Sequence, residues 1–343
     1  MFDVITIGSV AVDNFIKSDF LKTVTDPEHL KKIGFRTGKA QCFSFGSKIE
    51  INEPITTIGG GAYNAGVEFS RCGFSVATLF NIGNDREGEM ILDSLKKEKI
   101  KPISIVDKNQ KTGRSFILLS KSGERTILVF RGCSGKIEKK EIPFSKLKTK
   151  WAYVVSGDMS LETLLSLFDF LKKNKVNIAL APSKNLIELG FEKIKPLINM
   201  SRVIMLNREE ASYLTNVSYL DKEQIFSKLD KEVDGIVVMT DGSKGSYVSD
   251  GQTILSAKNY KEKEVVDRTG AGDAFGSGFV AGLIIRKDFS RESIAYAVKL
   301  ANANATSVIE RVGSAVSAVT KKEFETDPRW KNLEIKMKGK KEK

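Results

Sequence analysis

Six short apolar runs set the frame of this chain: FDVITIG at 2–8, VATLFNIG at 76–83, WAYVVSG at 151–157, NIALAP at 177–182, RVIMLN at 202–207 and GIVVMT at 235–240. Because these runs are nearly continuous, each reads as a strand buried on both faces. Between them stand stretches of helical period, REGEMILDSLKKEKI from Arg86 and SLETLLSLFDFLKKN from Ser160. Buried strands separated by helices predict an α/β fold whose mostly parallel sheet is covered on both sides.

Two regions break that rhythm. Residues 14–53 hold five phenylalanines (Phe15, Phe20, Phe35, Phe43, Phe45) and a more alternating segment, FSFGSKIEI, at 43–51. Residues 103–131 read as paired strands, RSFILLS and RTILVF, around a turn with Ser122–Gly123 at its tip. Both predict a small β-sheet appended to the body, a candidate lid. The domain is expected over 1–318. Residues 319–343 form a C-terminal extension whose lysine-rich end, KMKGKKEK from Lys336, is expected to be disordered and solvated.

Composition narrows the function classes. The single histidine, His29, argues against a Ser-His-Asp triad and excludes a multi-histidine metal site. Cys42, Cys72 and Cys133 are widely spaced without a CxxC, which fits reduced thiols and a cytoplasmic location. No apolar run approaches the ~20 residues of a membrane span, and the N-terminus lacks the basic region of a secretory signal. The net charge of +12 raises nucleic acid as a partner. Part of that excess sits in the tail, and elsewhere lysines and acids are interspersed. An anionic small molecule would use the same positive field.

Chemistry concentrates in the segment DRTGAGDAFGSGF, Asp267 to Phe279. Gly270 and Gly272 leave backbone N–H groups open where a helix begins, and there the unpaired donors and the dipole favour an anion. Beside such an anion Asp273 is poorly placed as a ligand. It suits a base that accepts a hydroxyl proton during phosphoryl transfer, although an aspartate there also complements a helix dipole. GGGAYNAGVEFSRCG, from Gly59, again places glycines before a helix, with Asn64 one turn in. NREE, from Asn207, is either a capping box or a site where Glu210 organises hydrated magnesium. In TDGSKGS, Gly242 and Gly245 permit a close approach to a nucleotide or make a plain turn. Neither GxxxxGK[ST] nor GxGxxG occurs.

Taken together these segments resemble the PfkB carbohydrate-kinase family, whose ribokinase-like fold is three-layered with a β-sheet lid. DRTGAGDAFGSGF is similar to that family's C-terminal signature and GGGAYNAGVEFSRCGFSVATLFNIGNDREGE to its N-terminal one, including Gly83, Asp85 and Gly88. The likeness runs from about Asp3 to Ala318. It implies an ATP- and magnesium-dependent kinase acting on a sugar hydroxyl, with Asp273 as catalytic base and the Gly270–Ala271–Gly272 backbone as anion hole. Asp13, Gly60 and Asn64 would line the sugar side, and Arg131 resembles an arginine that holds a substrate carboxylate. Asn207, Thr240, Gly242, Gly245 and Asn302 would serve the nucleotide, and Glu210 the magnesium through water. Asp267 and Thr269, with carbonyls near Val308, Arg311 and Gly313, match a monovalent-cation site, implying potassium. The family also implies a possible homodimer through the lid.

Ala11 stands where ribokinases carry asparagine, and Gly61 where they carry lysine. The stretch of about 45 residues between Asp13 and the glycine run is nearer to adenosine-kinase proportions. A nucleoside kinase is therefore an alternative. A member that has lost catalysis and works by binding is another.

Overall fold

The computed structural model describes residues 1–18, 20–35, 38–119, 125–313 and 318–339. Its centre is a ten-stranded sheet. From one edge the order is Ile335–Gly339, Thr253–Ala257, Ser246–Ser249, Ile236–Thr240, Val203–Asn207, Asn177–Ala181, Thr149–Val155, Phe2–Ile7, Val76–Gly83 and Lys101–Asp107. Neighbours from Ile236–Thr240 to Lys101–Asp107 pair in parallel. The strands beyond Ile236–Thr240 pair antiparallel. All six predicted runs are strands of this sheet.

Alternate residues of one strand feed different cores, which is why the runs carry no polar face. Val4 and Tyr153 pack towards the helices Gly61–Arg71, Ala271–Arg286 and Arg291–Ile309. Ile5, Ala152 and Val154 pack towards Leu161–Lys173, Phe191–Met200 and Lys222–Leu229. The result is a three-layer α/β/α body, as expected. Among the described residues no helix is long and apolar enough to cross a membrane.

A separate four-stranded sheet has the order Ile55–Gly59, Ala11–Lys17, Arg114–Leu119, Arg125–Phe130. This is the predicted second sheet, with different bounds. Residues 103–107 belong to the central sheet through their parallel pairing with Val76–Gly83, so the lid portion starts only at Arg114. The expected turn at Ser122–Gly123 lies outside the described residues. FSFGSKIEI forms no strand: Phe43 and Phe45 are exposed and can seal no sheet face. Instead Lys22–Thr25 and Lys39–Cys42 make a two-stranded ribbon around a short helix, Pro27–Lys32.

The C-terminal extension also departs from expectation. Phe324, Trp330 and Leu333 are buried in the body's core, and the Tyr260 hydroxyl donates to the Trp330 carbonyl at 2.5 Å. Ile335–Gly339 is the edge strand of the central sheet, paired with Thr253–Ala257. The expectation of a disordered tail from Lys336 therefore fails through Gly339. Backbone pairing to an open sheet edge outweighs the composition, and alternating Lys336 and Lys338 suit a strand whose other edge is exposed.

Candidate active site

The helix Ala271–Arg286 begins at Gly270, whose φ of 79° turns the chain into the first turn. A side chain is disfavoured in that left-handed region, so glycine is needed there. The start exposes the N–H groups that a helix leaves without intrahelical partners. Further along the same helix the glycines have a packing role. A Cβ on Gly276 would lie 2.5 Å from the Tyr153 hydroxyl, and one on Gly278 would lie 3.1 Å from Ala301 Cα. Gly272 differs, since a Cβ there would meet nothing within 4 Å. Its openness serves no packing within the chain.

Asp273 lies in that first turn, and Asn64 of the helix Gly61–Arg71 donates from Nδ2 to its Oδ2 at 2.9 Å. Burial raises the Asp273 carboxyl above its ordinary range, and the Asn64 amide pulls it back down. Asn64 is only 7% exposed, so it is no surface residue of a plain turn. Gly60 caps its helix with φ 96°, and a Cβ there would fall 2.6 Å from the Ser9 carbonyl.

Two cavities meet at this helix start. The first, of about 260 Å³, is lined by Asp13 of the lid strand Ala11–Lys17 and by Gly60, Asn64, Thr269, Gly270 and Asp273 from the body side. Lid residues Arg114, Ser115, Ile117, Ile127, Val129 and Phe130, with Arg131 just after them, complete it. Asp13 is raised to about 6, mainly by burial, with the charges of Asp267 and Asp273 adding to the rise and the Ser115 hydrogen bond opposing it. Arg131 is largely exposed and pairs with Asp158 at 3.4 Å.

The second cavity, of about 630 Å³, brings together Thr240, Gly242 and Gly245 with Ala271 and Gly272. Its far wall is Phe275, Ala305, Thr306 and Ile309. The Gly242–Gly245 loop rests on Asp241, which accepts from Arg208 at 2.7 Å and from the Tyr219 hydroxyl at 2.6 Å. Asn302 does not line this cavity. It is 1% exposed, its Nδ2 donates to the Val298 carbonyl at 2.9 Å, and its helix face reaches the cavity only one turn later. Asn207 and Glu210 do not line it either. They form a reciprocal capping box, with each backbone N–H donating to the other's side chain at 2.8 Å. Asn207 is nonetheless the register partner of Thr240 at the carboxyl ends of two parallel strands.

Asp267 is 1% exposed. Its Oδ1 accepts from the Thr269 N–H at 2.9 Å and the Thr269 hydroxyl at 2.6 Å, while Oδ2 has no hydrogen-bond partner. An orphaned buried carboxylate oxygen is costly unless a cation or water answers it, so the donor set fits a monovalent cation.

Sequence reasoning missed several lining residues. Arg114 and Ser115 sit in a strand read only as lid, and Lys244, Lys258, Lys261 and Arg268 line the larger cavity from lysine-rich loops. Among so many surface lysines nothing in the composition singled them out, although Lys244 and Arg268 lay inside quoted motifs.

An α/β body that joins two cavities at one open helix start, with an acid on one side, has the architecture of a phosphotransferase. The chain belongs to the pfkB family of carbohydrate kinases, whose description matches residues 35–321. It is 29% identical over 277 residues to a ribokinase of Haemophilus influenzae, covering 77% of this chain and 85% of that protein. The fold is shared with a putative ribokinase II from E. coli in complex with ATP and magnesium, at a TM-score of 0.76, 19% identity, and coverage of 95% and 98%. An adenosine kinase from Sinorhizobium meliloti also has this fold, at a TM-score of 0.74, 18% identity, and coverage of 92% and 97%. The protein is thus a phosphotransferase with a hydroxyl acceptor.

Proposed function

We propose that this chain transfers the γ-phosphoryl group of ATP to a hydroxyl of a sugar or sugar-like molecule. The observation that carries the reading is the division of one helix start. Gly270 and Asp273 face the smaller cavity, and Ala271 and Gly272 face the larger. An acceptor in the first would present its hydroxyl to Asp273, and a donor in the second would lay its phosphates on the helix N–H groups. Asp273 takes the hydroxyl proton as the acceptor oxygen bonds to phosphorus, and burial, by raising its affinity for protons, makes it a better base than an exposed carboxylate. Asp13 accepts from other substrate hydroxyls. Arg131 would meet a carboxylate if the acceptor carries one.

Cavity size favours a monosaccharide, since about 260 Å³ falls below the roughly 300–1,000 Å³ of sites for drug-sized ligands. A nucleoside is the second reading, favoured by the apolar wall of Ile117, Ile127, Val129 and Phe130. Parallel assays with sugars and nucleosides decide between them. Magnesium accompanying the donor would be reached from Glu210 through water, and a raised magnesium requirement in Glu210→Gln tests that. The Asp267 and Thr269 oxygens, with the carbonyls of Val308, Arg311 and Gly313, would hold potassium. Equal rates in potassium, sodium and choline buffers would remove that cation. Free Cys42, Cys72 and Cys133 support a cytoplasmic setting. The exposed apolar strand Arg125–Phe130 supports a homodimer through the lid, which sedimentation velocity measures.

Asp273→Asn is the decisive variant. It keeps the size and the Asn64 neighbour but cannot take a proton, so kcat should fall at least ~10²-fold with ATP affinity retained. As a mere helix cap, asparagine would serve as well. Turnover near the wild-type value would sink the mechanism.

A further inference from the structure

We propose that Arg268 is a phosphate-binding residue of the donor cavity, tying the protein to a donor with a charged phosphate chain. The inference rests on the kinase reading and adds to it a side chain outside the glycine backbone.

Arg268 lines the larger cavity together with Ala271 and Gly272 of the helix start. Its carbonyl accepts from the Ala271 N–H at 3.5 Å, so its backbone belongs to the tight turn that delivers the chain into that helix. The side chain is exposed, and among the described residues it makes no ion pair or hydrogen bond. That sets it apart from Arg71, Arg114, Arg131, Arg208, Arg291 and Arg329, each paired with a carboxylate. The acid beside it, Asp267, does not neutralise it, because that carboxylate is buried and turned to Thr269.

The rest of the cavity's net charge has the same sign. Lys244, Lys258 and Lys261 line it, with Glu262 as the acid among the lining residues. Lys244 stacks 5.3 Å from the Tyr219 ring centroid, which accounts for its position without a ligand. Arg268 has no such internal contact. A guanidinium left unpaired beside an open helix start offers a planar fork of donors that matches phosphate oxygens, adding to the N–H groups. Gly272, open to the same space, leaves room for those oxygens.

In the reaction, the acceptor oxygen–phosphorus bond forms, the bond from that phosphorus to the departing ADP oxygen breaks, and the hydroxyl proton passes to Asp273. The breaking bond leaves negative charge on the nucleoside diphosphate, the species Arg268 would hold.

Calorimetry with ADP and with adenosine, both with magnesium, separates phosphate recognition from base recognition. Arg268→Ala should bind ADP at least about 10-fold more weakly, the scale of one lost charge-assisted contact. Adenosine affinity and melting temperature should not change, because the side chain holds nothing within the protein. Arg268→Lys, with the charge but not the fork, should lose about threefold, and wild-type ADP affinity should fall more steeply with salt than that of Arg268→Ala. Unchanged ADP binding in Arg268→Ala, or an equal loss for adenosine, would overturn the proposal while phosphotransfer by the wild type left the kinase reading intact. A wild type that binds no ADP and phosphorylates none of the sugars or nucleosides would overturn both.

Discussion

Asp13 and Asp273 share one cavity but stand in different fields. Burial raises both carboxyls; the Asn64 amide pulls Asp273 back down, whereas Asp13 rises to about 6 through burial first, with the like charges of Asp267 and Asp273 adding to it. A carboxyl usually titrates near 4, so folding retains a proton on Asp13 between about pH 4 and pH 6 that the unfolded chain gives up. Stability from this group is therefore greatest below that window, declines as pH rises through it, and is level above about 6. If Asp13 meets substrate hydroxyls as proposed, recognition runs the other way, because only the ionised form offers both oxygens as acceptors. We expect kcat/KM for the acceptor to fall as pH drops below about 6, with Asp13→Asn weakening the acceptor and removing that acid limb. A limb that persists in Asp13→Asn would assign it to another group. At this scale the sequence was readable where a residue's chemistry was odd for its place, as with an aspartate beside an open glycine turn at a helix start. Ser115 and Arg114 were not, because their place in the cavity wall depends on which face of a lid strand meets it.

Asp85 shows what a motif residue does at the scale of elements. It caps the helix Arg86–Lys97 by accepting from the Gly88 N–H at 3.0 Å, and accepts from the Thr112 hydroxyl at 2.6 Å and N–H at 2.9 Å. Thr112 is 0% exposed, lies two residues before the lid strand Arg114–Leu119, and accepts from the Gly83 N–H at 2.9 Å. Gly83, Asp85 and Gly88 were quoted as part of a signature; their contacts make them the root of the lid. Asp85→Ala removes a cap worth about 1 kcal/mol and frees Thr112 as well. Melting temperature should fall by several degrees and acceptor KM should rise several-fold, while ADP affinity stays as it was. An unaltered acceptor KM would reduce Asp85 to a helix cap. Strands of the central sheet were legible because burial on both faces leaves a continuous apolar run. The edge strand Ile335–Gly339 was not, because an edge needs only backbone partners and tolerates lysine on the solvent side. The lid's bounds were blurred for a related reason. Lys101–Asp107 and Arg114–Leu119 have similar composition, and only register assigns the first to the central sheet and the second to the lid.

Taken whole, the molecule sets its two cavities on either side of the junction Gly270–Asp273, with lid strands walling only the smaller one. The order of binding and chemistry follows from that geometry. A phosphoryl group could pass through the protein itself only if a nucleophile faced the donor, yet Asp273 lines the acceptor side. At the helix start itself the donor side presents the Ala271 and Gly272 backbone and Arg268, groups that stabilise a phosphoryl group without accepting it. If the two cavities hold donor and acceptor as proposed, both substrates are bound together before the group moves. Initial rates measured against both substrates should give intersecting double-reciprocal lines, and labelled ADP should not exchange into ATP unless acceptor is present. Arg268→Ala should keep the intersecting pattern while weakening the donor, since it alters one cavity and not their junction. Parallel lines with acceptor-independent exchange would mean a phosphorylated enzyme, and the shared helix start would then have to serve the two substrates in turn rather than at once.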